Sequence, residues 1–324
     1  MKDYIIRKIK SKRGDKYKYE YYDKEGKKVN EKIVKICLEG IYIPPAHDNV
    51  KINLNKKDKV LAIGYDTKGR PQYIYNKRYT EKKSKEKYEH MIEFGESYKK
   101  IMKQINKDLY TEGDSKQKQI AFILKLVIDC CFRIGNDKYM KENKSYGVST
   151  LLSEHVKVSG ENIMIDFKGK KGVQNRCKFR HKKLSKELRR KKKTLKKKDR
   201  LFTYREKDKY HEVNSKDVNK YLKKFGNFST KNFRTWNANI EFILQIIEKE
   251  EPQTENQKKK NIKEAIKKVA EKLHNTSSVC KSNYIDPYLV ETYEKDTRRF
   301  IGTFRETKKR DDLTDKYIEL LRNR

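Results

Sequence analysis

Short runs of alternating polar and apolar residues fill roughly the first eighty positions, a pattern that is typical of β-strands. Tyrosine alternates with lysine and glutamate at residues 17–22, and the sequence DKEG at 23–26 predicts a turn after this strand. Two further strands are predicted at residues 59–65 and 72–76. We therefore expect a small antiparallel β domain at residues 1–82.

Beyond this region the apolar residues recur three and four positions apart, which is typical of helices that bury one face. This spacing predicts helices over residues 88–109, 120–132 and 255–273. Since the pattern changes from strands to helices just after residue 80, we expect a second, mainly helical domain at residues 83–324.

The helical pattern is interrupted between residues 156 and 179. Alternating apolar residues end at Phe167, and the sequence KGKKG follows at 168–172, which predicts a β-hairpin inserted among the helices. Strand alternation would place Lys168 and Lys170 on one face of this hairpin. The predicted fold class is α+β: a small antiparallel β domain at the N-terminus, followed by a mainly α-helical domain with an inserted hairpin.

Positive charge dominates the composition and changes the functional picture. The chain has 83 lysines and arginines against 46 acidic residues, a net charge of +37, which is far more than solubility requires and indicates a polyanionic partner. Residues 180–200 contain 13 of these cations and only two acids. We interpret this segment as a contact surface for DNA phosphates, and a solvated charged helix and loop is the alternative.

Membrane insertion and secretion are not expected. The most apolar segment, residues 120–132, is too short to span a bilayer and is interrupted by Lys125 and Asp129. The N-terminal sequence MKDY does not begin an apolar run with a cleavage site, so no signal peptide is predicted. We expect an intracellular protein with no membrane partner.

Neither the cysteines nor the histidines are spaced like metal ligands. The six histidines are far apart, and no pair of cysteines has the C-x-x-C spacing of a zinc site. We therefore expect no metal and five reduced structural thiols, which are Cys37, Cys130, Cys131, Cys177 and Cys280.

Four segments carry residues suited to phosphodiester chemistry. Attack on a phosphodiester builds negative charge on phosphorus, which must be neutralised by metal ions or by fixed cations. The segments are FRIGNDKY at 132–139 with YGVSTL at 146–151, FKGK at 167–170, KNFRTW at 231–236 and NTSSVCKSNY at 275–284. Their sequence and order are similar to those of type IB DNA topoisomerases, and most of all to the small poxvirus-like enzymes of large DNA viruses and bacteria.

The resemblance implies a catalytic role for one residue or more in each segment. Tyr284 would be the nucleophile, Arg133 and Arg234 would bind phosphate oxygens, and Lys170 would donate a proton to the leaving oxygen. Poxvirus enzymes carry a histidine nine residues before the tyrosine, where this chain has Asn275. We assign the fourth polar role to Asn275, with the preceding His274 as the alternative.

The resemblance also covers the first domain and implies residues that contact duplex DNA. The sequence GRPQYIY at 69–75 is similar to a DNA-contacting strand of the family. The predicted DNA-binding residues are Arg70, Gln72, Tyr73, Tyr75, Gly135, Tyr139 and Lys231.

The implied activity is relaxation of supercoiled DNA through a 3′-phosphotyrosyl intermediate, with no cofactor, ATP or metal. The implied enzyme is a monomer that clamps duplex DNA without an obligate protein partner, in the virion or in the viral replication compartment if the source is viral. The alternatives are a site-specific tyrosine recombinase and a non-catalytic basic DNA-packaging protein. Recombinases usually have His-x-x-Arg where this chain has Lys231-x-x-Arg234, and their first domain is usually helical.

Overall fold

The chain forms two compact units, residues Met1–Tyr88 and Glu89–Arg324, in a computed structural model. The structure describes residues 1–14, 16–67, 69–307 and 310–324, without the side chains of residues 310 and 311. The domain boundary predicted after residue 82 lies a few residues before the division between the two units, within a long helix.

Unit 1 is an antiparallel five-stranded sheet with one helix against it. The strands have the spatial order β2-β1-β3-β4-β5. Their bounds are β1 Tyr4–Arg13, β2 Lys16–Tyr22, β3 Asp48–Asn53, β4 Val60–Tyr65 and β5 Pro71–Tyr75, and helix α1 is Glu31–Leu38. Three of these strands match the predicted ones, whereas β1, β3 and α1 were not predicted.

The core of unit 1 lies between the sheet and α1. The helix begins where the side chain of Asn30 accepts a hydrogen bond from the backbone N–H of Lys32. Its buried residues, Val34 and Cys37, pack in one apolar cluster with residues of the central strands, such as Val50. The opposite side of α1 is exposed and carries Ile33 and Ile36 beside its charged residues.

Unit 2 is mainly helical. Helix α2 (Lys77–Tyr110) begins in unit 1 and continues into unit 2. The other helices are α3 Lys116–Asp129, α4 Asp137–Asn143, α5 Lys182–Lys192, α6 Ser215–Leu222, α7 Thr230–Ile247, α8 Glu255–Lys272, α9 Ser277–Asn283, α10 Pro287–Lys295, α11 Thr297–Arg305 and α12 Arg310–Arg322. The predicted α+β class, an antiparallel sheet followed by a mainly helical part, is confirmed.

Helix α7 is the centre of unit 2 because most of its side chains are buried. Its Trp236 packs against Gly95 of α2 so closely that a Cβ at this glycine would lie 2.5 Å from the indole. Tyr317 of α12 contacts the same indole, with ring centroids 5.0 Å apart. The C-terminal helices are therefore part of the core around α7.

Two small sheets interrupt the helices. Strands β6 Val156–Ser159, β7 Asn162–Lys168 and β8 Gln174–Arg180 form an antiparallel sheet in that order, and β9 Thr203–Glu206 pairs with β10 Lys209–Glu212. The predicted hairpin corresponds to β7 and β8. Strand β7 ends at Lys168, and a tight turn at Lys170–Gly172 follows, so the predicted strand alternation does not extend to Lys170.

The expectation of five reduced thiols is wrong for two of them. Cys130 and Cys177 form a disulfide, although they are separated by 47 positions. The chain brings the end of α3 beside strand β8, a contact between distant segments that spacing does not reveal. The remaining three cysteines are buried and are not part of a disulfide.

The helices of unit 2 build a core without a membrane-spanning segment. Within the described part of the chain, every helix is too short or too polar to cross a bilayer.

Candidate active site

Arg133 lies just beyond the C-terminal end of α3, where the chain turns sharply. Cys131 has a φ of +52°, which directs the backbone away from the helix axis. The carbonyl oxygen of Arg133 accepts a hydrogen bond from the N–H of Val148 at 2.9 Å. The backbone of the arginine segment is thereby fixed against the segment that carries the sequence YGVSTL.

Two glycines allow this pairing. Gly135 has a φ of +93°, and a Cβ there would lie 2.9 Å from Oγ1 of Thr150. A Cβ at Gly147 would collide with the backbone of Gly135. Gly135 was predicted as a DNA-binding residue, and the structure gives it a local structural requirement in addition.

Arg234 occupies the second turn of α7 and is almost fully buried. Its Nη2 donates a hydrogen bond to the carbonyl oxygen of Leu273 at 3.0 Å, which fixes the plane of the guanidinium. The Nε and Nη1 atoms are buried and have no hydrogen-bond partner among the described residues. Buried N–H donors are normally satisfied, so these two donors are available for an anion.

Tyr284 immediately follows α9 and is only 8% exposed. The Arg234 guanidinium lies over the Tyr284 ring, with Cζ 5.4 Å from the ring centroid. Trp236, two positions after Arg234 on the same helix, packs among other aromatic side chains. The structure thus brings together a tyrosine and an arginine that are fifty positions apart in the sequence.

Asn239 holds the backbone of the tyrosine segment at two points. Its Nδ2 donates to the carbonyl oxygen of Tyr284 at 3.1 Å, and its Oδ1 accepts from the N–H of Asp286 at 2.7 Å. Because Asn239 and Arg234 lie on the same helix, the tyrosine segment is fixed relative to the arginine. Asn239 was not predicted from the sequence, because it is one of several polar residues among the apolar positions of α7.

The electrostatics of the site favour the ionised phenol. Burial alone raises the pKa of Tyr284, but the positive charges of Arg234, Arg133 and Lys231 outweigh it, and the pKa lies below its ordinary value. Burial and the neighbouring charge of Arg234 lower the pKa of the Arg133 guanidinium. This coupling indicates that Arg133, Arg234 and Tyr284 share one environment with Lys231 nearby.

Asn275 and His274 occupy different environments. His274 has a φ of +50° at the end of α8, and its ring lies 5.3 Å from that of Phe132 and interacts with the backbone of Cys130. Burial first, and then the charges of the two arginines, lower the pKa of His274. Nδ2 of Asn275 is buried and has no hydrogen-bond partner in the described part of the chain. Asn275 therefore has an unused donor, like Arg234.

Lys170 differs from this group because it is not buried. It occupies the tight turn between β7 and β8 and is exposed to solvent. Lys171 beside it has a φ of +62°, which reverses the chain within one residue. Gly169 is buried against Asn175, whose Nδ2 donates to the carbonyl oxygen of Val173 at 2.8 Å. The turn is thus well defined, and the ammonium group of Lys170 is at its tip.

The remaining predicted DNA-binding residues of unit 2 are exposed. Tyr139, in the short helix α4, is 57% exposed, and Lys231 is exposed in the first turn of α7. Arg200 fixes the start of α4, since its Nη1 donates to Oδ1 of Asp137 and its Nη2 donates to the carbonyl oxygen of Ser149, both at 2.8 Å. Arg200 therefore holds the start of the helix that carries Tyr139.

The predicted contacts of unit 1 lie on strand β5, at the edge of its sheet. Tyr73 and Tyr75 point to the same face, are 50% and 40% exposed, and stack with centroids 6.1 Å apart. Gln72 points to the other face, where it and Arg70 both bind the carboxylate of Asp66. The two tyrosines thus form an exposed aromatic pair, while Arg70 and Gln72 are engaged within the protein.

The donors gathered in unit 2 suit an anion. Among the described residues, no group of three or more histidine, cysteine, aspartate or glutamate side chains is arranged to hold a metal ion. The guanidinium groups of Arg133 and Arg234 lie close to the phenol of Tyr284, and such groups can bind the non-bridging oxygens of a phosphate.

Comparisons with known proteins agree with this geometry. The sequence profile of the family described as "Eukaryotic DNA topoisomerase I, catalytic core" matches residues 76–310. The chain is 33% identical to DNA topoisomerase 1B of Acanthamoeba polyphaga mimivirus, over 97% of this chain and 94% of that protein. It is 27% identical to DNA topoisomerase 1B of vaccinia virus (strain Copenhagen), over 72% of each. On these grounds the chain belongs to the type IB DNA topoisomerase family.

Proposed function

We propose that this protein relaxes supercoiled duplex DNA by cleaving and rejoining one strand, with Tyr284 as the nucleophile. The observation that carries the proposal is a buried phenol beside a guanidinium whose Nε and Nη1 have no partner. A scissile phosphate placed there would accept hydrogen bonds from these donors while its phosphorus faces the tyrosine oxygen. Two unsatisfied N–H groups in the protein interior favour a bound ligand over a purely structural tyrosine–arginine pair.

Cleavage would exchange one phosphodiester for another. The ionised oxygen of Tyr284 attacks phosphorus, the bond from phosphorus to the 5′ oxygen breaks, and a 3′-phosphotyrosyl bond forms. Lys170 donates a proton to the departing 5′ oxygen. The energy of the broken bond is kept in the new ester, so rejoining by the 5′-hydroxyl requires neither ATP nor another high-energy donor.

Three side chains would stabilise the charge that develops on phosphorus. Arg133 and Arg234 offer permanently charged, forked donors to the non-bridging oxygens, and Asn275 adds its unused amide N–H. We prefer Asn275 to His274 in this role, since the pKa of His274 is lowered and its ring already interacts with the backbone of Cys130. The same donors would act in cleavage and in rejoining.

Further contacts with the duplex would come from exposed side chains of both units. We propose that residues 1–82 act as a DNA-clamp domain, in which Tyr73 and Tyr75 contact a groove of the duplex. Arg70 and Gln72 would release the carboxylate of Asp66 and contact the DNA instead. In residues 83–324, the catalytic domain, Gly135, Tyr139 and Lys231 would contact the strand near the scissile phosphate.

We propose that the protein acts as a monomer and without an obligate partner, since all the proposed catalytic residues belong to one chain. Its place would be intracellular, with DNA, in a virion or a viral replication compartment if the source is viral. The similarity to two viral enzymes supports this location.

The decisive experiment is relaxation of a negatively supercoiled plasmid in excess EDTA without ATP. We expect relaxation by the wild type and none by Tyr284→Phe, which keeps the ring and removes only the nucleophilic oxygen. Tyr210→Phe is the matched control, because Tyr210 is 69% exposed on β10, and it should relax the plasmid at the wild-type rate.

Two results would contradict the proposal. Relaxation by Tyr284→Phe would show that another residue is the nucleophile. Tight DNA binding by the wild type without relaxation would favour a packaging protein or a recombinase that demands a specific site. The monomer proposal is tested separately by analytical ultracentrifugation of the protein on a short duplex.

A further inference from the structure

The disulfide joins the two parts of unit 2 that carry the arginine and the lysine of the proposed mechanism. Cys130 is the residue at the end of α3, three positions before Arg133. Cys177 lies in β8, which is hydrogen-bonded to β7 along seven residue pairs. The turn between these two strands carries Lys170. The covalent bond therefore connects the arginine segment to the lysine hairpin.

Two noncovalent contacts connect the same parts. The rings of Phe132 and Phe167 are packed edge to face, with centroids 4.9 Å apart. The N–H of Tyr146 donates to the carbonyl oxygen of Lys168 at 2.9 Å, and Tyr146 precedes the segment that is bonded to Arg133. Both contacts involve β7 or its end. The disulfide is the link through β8, the outer strand of the three-stranded sheet.

The position of an outer strand decides where the turn points. Strand β8 has β7 on one side, and the other side is an edge of the sheet. If the outer strand twists or frays, the exposed tip at Lys170 moves the most, because it is the end of the hairpin. A covalent bond from β8 to the buried end of α3 limits this movement. Placement of reacting groups strongly affects rate, and a displacement of 1 Å can cost about a hundredfold.

We infer that the Cys130–Cys177 disulfide is a positioning element that holds Lys170 where it can protonate the leaving 5′ oxygen. This inference rests on the proposed role of Lys170. Neither cysteine touches the DNA in this scheme, and both act through the hairpin. Since two noncovalent links remain after reduction, we expect cleavage by the reduced enzyme to be slower by about tenfold rather than abolished.

The disulfide also makes this positioning reversible. A thiolate of a dithiol attacks Sγ of Cys177, a partly exposed residue, and Sγ of buried Cys130 leaves as a thiolate that then takes up the proton lost by the dithiol. The second thiol of the reductant then resolves the mixed disulfide. The products are two cysteine thiols in the protein and one disulfide in the reductant, so electrons and protons balance.

The test compares oxidised and dithiothreitol-reduced wild-type enzyme in single-turnover cleavage of a duplex oligonucleotide. Its sequence is taken from a plasmid site at which the enzyme forms a covalent adduct. Mass spectrometry after alkylation confirms the state of each thiol. Cys177→Ser is measured beside Cys37→Ser, which changes a free cysteine of unit 1 and should behave as wild type. Melting temperatures establish that each variant is folded.

A second substrate separates positioning from general stability. Sulfur replaces the bridging 5′ oxygen at the cleavage site, and a thiolate leaves without needing a proton. We expect the tenfold difference between oxidised and reduced enzyme, and the same loss in Cys177→Ser, on the oxygen substrate only. Equal slowing on both substrates would overturn the inference, because the disulfide would then have a merely structural effect. No slowing on either substrate, or failure of the pair to oxidise, would also overturn it.

Lys170→Ala shows whether the underlying role of the lysine is correct. If sulfur restores cleavage by Lys170→Ala, the lysine is the proton donor, and the cysteine results then decide the inference alone. If sulfur does not restore it, the proposed role of Lys170 fails, and the inference fails with it. If Tyr284→Phe still cleaves, the nucleophile assignment fails, independently of both results.

Discussion

The two ends of the proposed reaction are built in opposite ways. On the nucleophile side, Tyr284 is buried, Asn239 fixes its backbone, and the Arg234 guanidinium covers its ring. On the leaving-group side, Lys170 is exposed at the tip of a hairpin turn. The nucleophile side is thus assembled in the protein alone, whereas the lysine side is still open to water.

This difference indicates a division of work between protein and DNA. The cations of the protein itself lower the pKa of Tyr284, so the phenol on this side is activated by neighbouring side chains. The ammonium group of Lys170 must lose water and meet the 5′ oxygen, which DNA bound over the hairpin would bring about. We therefore expect defects on the nucleophile side to persist with every substrate and those on the lysine side to depend on the leaving group.

Replacing Arg234 with glutamine should have the largest effect. The change removes the charge and two of the donors that are unused in the protein, so we expect cleavage to slow by on the order of a thousandfold. The measurement is single-turnover formation of the covalent DNA adduct. Arg298→Gln, which changes an exposed arginine on α11, is the control and should cleave normally. A loss below tenfold in Arg234→Gln would show that the guanidinium does not hold the phosphate.

Replacing Lys170 with alanine should have the next largest effect on a normal substrate. Loss of a general acid typically costs about a hundredfold or more. Lys171→Ala is the matched control, because it removes the adjacent lysine of the same turn. Sulfur at the 5′ position should restore cleavage by Lys170→Ala but not by Arg234→Gln. If sulfur restored cleavage by both variants, the proposed difference between the nucleophile side and the leaving-group side would be wrong.

Replacing Asn239 with alanine should have a smaller effect on the nucleophile side. The change leaves the carbonyl oxygen of Tyr284 and the N–H of Asp286 without this partner, at a cost of about 1–3 kcal/mol. We expect cleavage to slow by about tenfold with oxygen and with sulfur leaving groups alike. Asn261→Ala, which changes a buried amide on α8, controls for stability and should leave cleavage unchanged. If both variants cleave more slowly in proportion to their loss of melting temperature, Asn239 affects cleavage only through stability and does not position Tyr284.

The sequence suggested candidate site residues but did not predict their arrangement. Alternation and helical spacing predicted β2, β4, β5 and most long helices, because more and less exposed side chains alternate along these strands and the long helices bury an apolar face. They did not predict β1, whose lysine-rich second half is exposed, or the disulfide, which depends on a contact between distant segments. The unused donors of Arg234 and Asn275 likewise depend on burial, which residue types alone do not fix.

The pH dependence of cleavage should show the smallest effect and test the charges directly. Positive charge stabilises the phenolate, so the lowered pKa of Tyr284 should place the rise in cleavage rate below pH 10, the ordinary value for tyrosine. Lys231 contributes to this lowering from an exposed position. Removing its charge in Lys231→Gln should therefore raise the pKa of Tyr284 and move the rise to higher pH.

The shift in the midpoint should be smaller for Lys231→Gln than for Arg234→Gln. Arg234 is buried, and among the cations it lowers the pKa of Tyr284 the most. Cleavage rates of the three enzymes from pH 6 to 10 would give the order wild type, Lys231→Gln, Arg234→Gln for the midpoint. Lys281→Gln, on α9, is the control for a change in net charge alone. Identical midpoints in all four enzymes would mean that the pH dependence reports another group, and that the assembled cations do not activate Tyr284 before the DNA arrives.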